Sequence, residues 1–172
     1  MSKLPNILIT GTPGTGKTSM AEALAERTGL RFVNTTKLIK DEECHEGTDA
    51  EFDTLILDED KFCDVLEPIM EEGGVIIDYH SCELFPERWF QLVLVLTADT
   101  QVLYDRLAQR GYTDKKVQEN MECEIMQIVQ ESAMESYDRD IVQILPSNTI
   151  DDLESNVERA SAWLDAFKLN NL

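Results

Sequence analysis

Residues Gly11-Thr12-Pro13-Gly14-Thr15-Gly16-Lys17-Thr18 follow the spacing G-x-x-x-x-G-K-[ST]. That spacing suits the cradling of a chain of phosphates. Glycines let the backbone turn tightly and aim successive N–H groups at anionic oxygens. A helix starting directly behind the turn adds its own unpaired N–H groups and the positive end of its dipole. Lys17 supplies a mobile cation for the β and γ phosphates, the Thr18 hydroxyl can ligate Mg²⁺, and Ser19 can reach the α phosphate.

Two further groups have the chemistry to work beside such a loop. Gly73-Gly74-Val75-Ile76-Ile77-Asp78-Tyr79-His80 reads as an apolar strand ending in an acid. An acid at the carboxyl end of a strand in an open α/β sheet stands at the ligand edge, so Asp78 can hold Mg²⁺ opposite Thr18. His80 has two readings: a structural loop histidine, or a group that orients water and couples nucleotide state to a moving loop. Arg106 and Arg110 are four residues apart, on one helix face, with Lys115 and Lys116 close behind. They can neutralise a transferring phosphoryl group, or simply complement the negative end of a helix dipole.

The elements needed to position these residues follow from the apolar pattern. Short apolar runs alternate with helical periods, which is the signature of a parallel sheet built from βα units. Strands are expected at Asn6–Thr10, Arg31–Asn34, Val75–Asp78, Gln91–Leu96 and Ile141–Leu145. Helices are expected at Gly16–Arg27, Asp60–Glu72 with a Gly73-Gly74 stop, and from a cap at Asp99 to about Arg110. A single long helix is expected from about Asp114 to Tyr137, because Val117, Met121, Ile125, Val129 and Ala133 recur every four residues. A last helix starts near Asp151, and its stripe from Leu153 to Phe167 reads as core packing. The fold class is α/β, and residues 1–172 form one domain.

Composition excludes several classes. The 172 residues carry 15 basic and 34 acidic side chains, a formal charge of −19. Such a surface repels the backbone of naked nucleic acid and attracts basic proteins, or serves solubility alone. No apolar run is long enough to span a bilayer, and the first ten residues show no secretory signal. Cys44, Cys63, Cys82 and Cys123 lack the spacing of a zinc site and read as reduced thiols. Cys82 lies nearest a candidate site.

Several stretches together are more specific than the phosphate loop. They are Pro5-Asn6-Ile7-Leu8 before the loop, Leu57-Asp58-Glu59-Asp60, the Asp78-Tyr79-His80 strand end, Phe85-Pro86-Glu87-Arg88-Trp89-Phe90, Arg110-Gly111-Tyr112 and Leu145-Pro146-Ser147-Asn148. In these the chain resembles the adenylate kinase isoenzyme 6 family over nearly its whole length. The resemblance implies a P-loop nucleotide kinase fold with a five-stranded parallel sheet in the order 2-3-1-4-5, flanked by helices. It implies transfer between ATP and AMP to give two ADP, together with ATP hydrolysis. It also implies a part in small ribosomal subunit assembly through a basic small-subunit ribosomal protein, in the nucleus and cytoplasm, and a monomer is expected.

By the same matching, Gly14, Gly16, Lys17, Thr18, Ser19 and Arg110 contact ATP, and Asn148 lies where such kinases hold adenine. Residues from about 34 to 57 form the monophosphate-binding region, and those from about 109 to 119 a short lid. Two positions depart from the pattern. Lys40 stands where an arginine usually grips the AMP phosphate, and a lysine lacks the bidentate fork. Ser81 follows His80 where a glycine is familiar, which would restrict that loop. Two alternatives stay open: an ATP-driven assembly factor with incidental kinase activity, and a kinase for another small metabolite.

Overall fold

Ile7, Leu8 and Ile9 are all fully buried. Successive side chains of a strand point to opposite faces, so this strand needs cover on both sides. The rest of the chain supplies it. The computed structural model describes residues 3–49 and 54–171. β1 (Ile7–Thr10), α1 (Lys17–Thr28), β2 (Arg31–Val33) and α2 (Thr35–Asp41) come first. A hairpin of β3 (His45–Asp49) and β4 (Thr54–Leu57) precedes α3 (Glu59–Glu72) and β5 (Val75–Tyr79). Then come β6 (Leu92–Thr97), α4 (Thr100–Gln109), α5 (Asp114–Ile125), α6 (Ile128–Ser136), β7 (Val142–Pro146) and α7 (Ile150–Asn171).

The main sheet has five parallel strands in the order β2-β5-β1-β6-β7. Counted over the strands of this sheet alone, that is the expected order 2-3-1-4-5. Central β1 pairs Leu8 with Ile77 on one side and Val93 on the other. Leu8, Ile77 and Val93 face one core with Phe62 and Leu66 of α3 and Val129 and Ala133 of α6. Ile7, Ile9, Ile76 and Leu94 face the other, with Met20 and Leu24 of α1 and Val157 and Leu164 of α7. Each fully buried aliphatic or aromatic side chain contributes roughly 1.5–3 kcal/mol. Asn6, buried at the start of β1, donates to the carbonyls of Met70 and Trp89 and accepts from the Val75 N–H, so its burial leaves no orphan.

The expected long helix is broken. α5 ends at Ile125 and α6 starts at Ile128, with Gln127 between them in the left-handed region at φ 56°. The two halves have different tasks. Val117 of α5 packs with Leu103 and Leu107 of α4, while Val129 and Ala133 pack beneath the sheet. A straight rod cannot reach both, and the turn costs about 1–2 kcal/mol. Ile125, expected in the core stripe, is instead 63% exposed.

Three other expectations change. Asp99 occupies the N-cap position of α4, but its side chain makes no capping bond. Ser81 is not among the described residues with positive φ, so the loop's backbone there does not require a glycine. α2 and the hairpin escaped the pattern. α2 has seven residues and starts on a cap in which Asn34 Oδ1 accepts the Lys37 N–H at 3.1 Å. The β3 sequence, His-Glu-Gly-Thr-Asp, has no aliphatic or aromatic alternation to reveal a strand.

Candidate active site

The phosphate loop joins the end of β1 to α1 at the carboxyl edge of the sheet. Gly14 has φ 97°, and a Cβ there would lie 2.9 Å from Leu103 Cδ1, so the loop passes α4 too closely for a side chain. Gly16 is the N-cap of α1 and offers no side-chain acceptor. The first-turn N–H groups of α1 are therefore left for an anion. Ser147 donates to the Thr15 carbonyl at 2.6 Å, which ties the loop to the segment after β7.

Lys17 Nζ donates to the carbonyls of Gly11 at 2.9 Å and Thr12 at 3.2 Å, folding the side chain back over its own loop. Burial lowers its pKa to about 8, although Asp78 and Glu124 pull the other way. The Thr18 hydroxyl donates to Asp78 Oδ2 at 2.7 Å. Burial raises the Asp78 pKa, with the Thr18 bond and Lys17 opposing. The Asp78 carbonyl is held in turn by the buried Thr35 hydroxyl of α2, at 2.5 Å. A hydroxyl and a carboxylate in direct contact beside a phosphate loop form the oxygen donor pair that Mg²⁺ favours.

A cleft of about 760 Å³ opens over these groups. Gly14, Gly16, Lys17, Thr18 and Ser19 form its floor with Asp78 and His80. Thr35, Ile39, Lys40 and Leu57 line one side, from the region expected to take a monophosphate. Residues 50–53 of that region lie outside the described residues. Arg110, Tyr112, Lys116 and Asn120 line the other side. Here Lys116 Nζ stands 3.9 Å from the Tyr112 ring centroid, a cation–π contact. Only residues 110–113 separate α4 from α5. His80 lines the cleft and is exposed to solvent, with its ring centroid 4.3 Å from that of Tyr79. Desolvation there, with Lys17 and Lys116 nearby, lowers its pKa to about 4, so at neutral pH it is an uncharged imidazole.

Two expected residues are placed differently. Arg106 does not line the cleft; its guanidinium donates to the carbonyls of Gly14 at 3.2 Å and Asn148 at 3.1 Å. It clamps the loop instead of standing free as a cation. Asn148 also makes a local bond, its Oδ1 accepting the Asp99 N–H at 2.7 Å. Cys82 is buried, and burial raises its thiol pKa, so it stays protonated. All four cysteines are free.

Sequence reasoning missed Thr35, Ser147 and Glu124. Glu124 accepts from both the Thr12 hydroxyl and the Ala98 N–H, yet it stands between Cys123 and Ile125 and carries no motif. Among the described residues, no helix is long and apolar enough to cross a membrane.

Comparison with known proteins follows the same lines. The AAA domain family model matches residues 7–127. The adenylate kinase isoenzyme 6 homolog of Dictyostelium discoideum is 49% identical, covering 93% of this chain and 91% of its own. The homolog of that name from Schizosaccharomyces pombe is 48% identical, covering 98% and 97%. Among solved structures, shikimate kinase from Acinetobacter baumannii in complex with shikimate superposes with a TM-score of 0.67, covering 98% of this chain and 97% of its own. At 15% identity that likeness carries the fold alone.

Proposed function

The chain belongs to the adenylate kinase isoenzyme 6 family, and from that premise we propose that it transfers the γ-phosphoryl group of ATP to AMP, giving two ADP. One observation carries the reading. A single cleft runs from the phosphate loop to Lys40 on one side and to Arg110 on the other, with the Thr18–Asp78 pair on its floor. A donor and an acceptor phosphate can therefore meet in one space, held by opposed cations.

Positioning and charge neutralisation do most of the work in such a transfer. Lys17 leaves its loop carbonyls for the β and γ phosphates, and Arg110 approaches from the lid side. Lys40 anchors the acceptor phosphate. Thr18 and Asp78 would hold Mg²⁺, which would supply positive charge against the phosphates. No general base is needed, because the acceptor is already an anion. Neutral His80 accepts or donates one hydrogen bond, and so can orient water when AMP is absent. Arg106 acts indirectly, by holding the Gly14 carbonyl.

The lid is short, so water exclusion is incomplete and ATP hydrolysis accompanies transfer. The test is ADP and phosphate production from MgATP, with and without AMP, against Lys17→Ala. AMP should accelerate ADP formation well above the hydrolysis rate. No stimulation by AMP would refute the kinase reading, and no phosphate above the Lys17→Ala control would refute the hydrolysis.

The charge of −19 favours a second reading. A basic small-subunit ribosomal protein would be steered to this surface, and ATP hydrolysis would drive its release during subunit assembly in the nucleus and cytoplasm. The chain would act there as a monomer. Variants at Lys40 and His80 should separate transfer from hydrolysis. If only loss of hydrolysis blocks ribosomal RNA processing, the kinase activity is incidental.

A further inference from the structure

One carboxylate outside the motifs joins three segments of the site. Glu124 lies in the last turn of α5, whose earlier residues Lys116 and Asn120 line the cleft. Its Oε1 accepts the Thr12 hydroxyl at 2.9 Å, and its Oε2 accepts the Ala98 N–H at 2.7 Å. Thr12 is a fully buried residue of the phosphate loop. Its carbonyl accepts from Thr15 Oγ1 at 2.8 Å and from Lys17 Nζ at 3.2 Å, so its position sets theirs. Ala98 follows β6 and precedes α4, the helix that packs Leu103 and Leu107 against Gly14.

Bonds to an ionised carboxylate are shorter and stronger than those between neutral groups. Here both oxygens are engaged, one on the loop and one on the sheet edge. The chain turns away at Gln127 directly behind them. The end of α5, the helix that begins in the expected lid, is therefore pinned to the phosphate loop.

We propose that Glu124 is a positioning residue, which through Thr12 holds the phosphate loop in its triphosphate-receiving shape and couples the lid helix to it. The inference rests on the phosphoryl-transfer reading of the same cleft. Glu124→Ala leaves the Ala98 N–H without its acceptor and the Thr12 hydroxyl with only the weak Cys123 Sγ acceptor at 3.7 Å, and should weaken triphosphate binding about tenfold. Glu124→Gln keeps the shape, because its amide oxygen can accept from Ala98 and its NH₂ can donate to Thr12; binding should stay within about threefold. AMP binding at the Lys40 side should not change in either variant.

The experiment titrates the full chain calorimetrically with the Mg²⁺ complex of a non-hydrolysable ATP analogue, and separately with AMP. Thermal unfolding is followed for every variant. Thr12→Val should weaken triphosphate binding in the same direction as Glu124→Ala, Thr12→Ser should rescue, and the double variant should be no worse than Glu124→Ala, which already removes the Thr12–Glu124 bond. Three results overturn the inference: folded Glu124→Ala binding the analogue like wild type, Glu124→Gln as damaging as Glu124→Ala, or effects of Glu124→Ala and Thr12→Val that multiply. If Glu124→Ala does not fold, Thr12→Val against Thr12→Ser decides, and unchanged binding by Thr12→Val overturns it. A wild type that binds no analogue would sink the phosphoryl-transfer reading and this inference together. Wild-type binding with an unaffected Glu124→Ala sinks the inference alone.

Discussion

Replacing Lys17 by Met removes the ammonium group from the phosphate loop and keeps most of the aliphatic stem. Burial lowers the Lys17 pKa from 10.5 to about 8, which corresponds to about 3 kcal/mol against the charged form. The side chain keeps partial contact with solvent, so some of this is screened. Against that gain, Met forfeits the bonds to the Gly11 and Thr12 carbonyls, about 1.5–3 kcal/mol each because their donor is charged. The lost bonds match or outweigh the relieved burial, so at pH 7 Lys17→Met should be less stable than wild type by up to about 3 kcal/mol, a Tm loss of up to about 6–12 °C for a chain of this size. The same variant should lose most of its triphosphate affinity.

The pH dependence gives this prediction its sharper test. The unfolded chain holds the Lys17 proton up to about pH 10.5, and the folded chain only up to about pH 8. Between those values the unfolded state binds more protons, so wild-type stability contributed by this group rises with pH. Below about pH 8 the penalty is fully present. The stability of Lys17→Met relative to wild type should therefore be highest at pH 7 and lower at pH 9.5. Thermal unfolding of both proteins without nucleotide, at the two pH values, measures it; other titrating groups cancel in the difference. A variant that melts above wild type at pH 7, or a difference that does not fall with rising pH, would refute the reasoning.

Two further perturbations probe the loop and the acceptor side. Gly14→Ala must accept φ 97° and place a Cβ 2.9 Å from Leu103 Cδ1. That should cost about 2–4 kcal/mol and lower Tm by about 5–15 °C, and an unchanged melting curve would show that the loop and α4 are not packed as described. Lys40→Arg supplies a bidentate fork at the exposed acceptor end of the cleft. It should lower KM for AMP about three- to tenfold and leave KM for ATP unchanged; if KM for AMP stays the same, Lys40 does not touch the acceptor phosphate.

Much of the fold was legible in the sequence because the signals were local. Ile7-Leu8-Ile9 and Leu92 to Leu96 are buried on both faces, so their unbroken apolar runs mark central strands. Asp58 at the start of α3 and Thr113 at the start of α5 accept backbone N–H bonds three residues on, as their types suggest. The pattern failed where one period served two partners. Val117 to Ala133 reads as one stripe, but α5 packs on α4 while α6 packs on the sheet. Apolar spacing reports which face is buried, not what buries it.

The phosphate loop needed nothing beyond its own eight residues. Its spacing alone determined a tight turn, an anion cradle and a cation at Lys17, because backbone geometry over so short a span follows from residue type. The tertiary structure decided what surrounds it. Thr18 meets Asp78 across 60 residues, and Thr12 meets Glu124 across 112. Arg106, legible only as a cation, became a clamp because its helix packs against Gly14. Contacts between residues so far apart depend on how helices and sheet pack, and on which buried polar groups then find partners. No spacing within one segment carries that information.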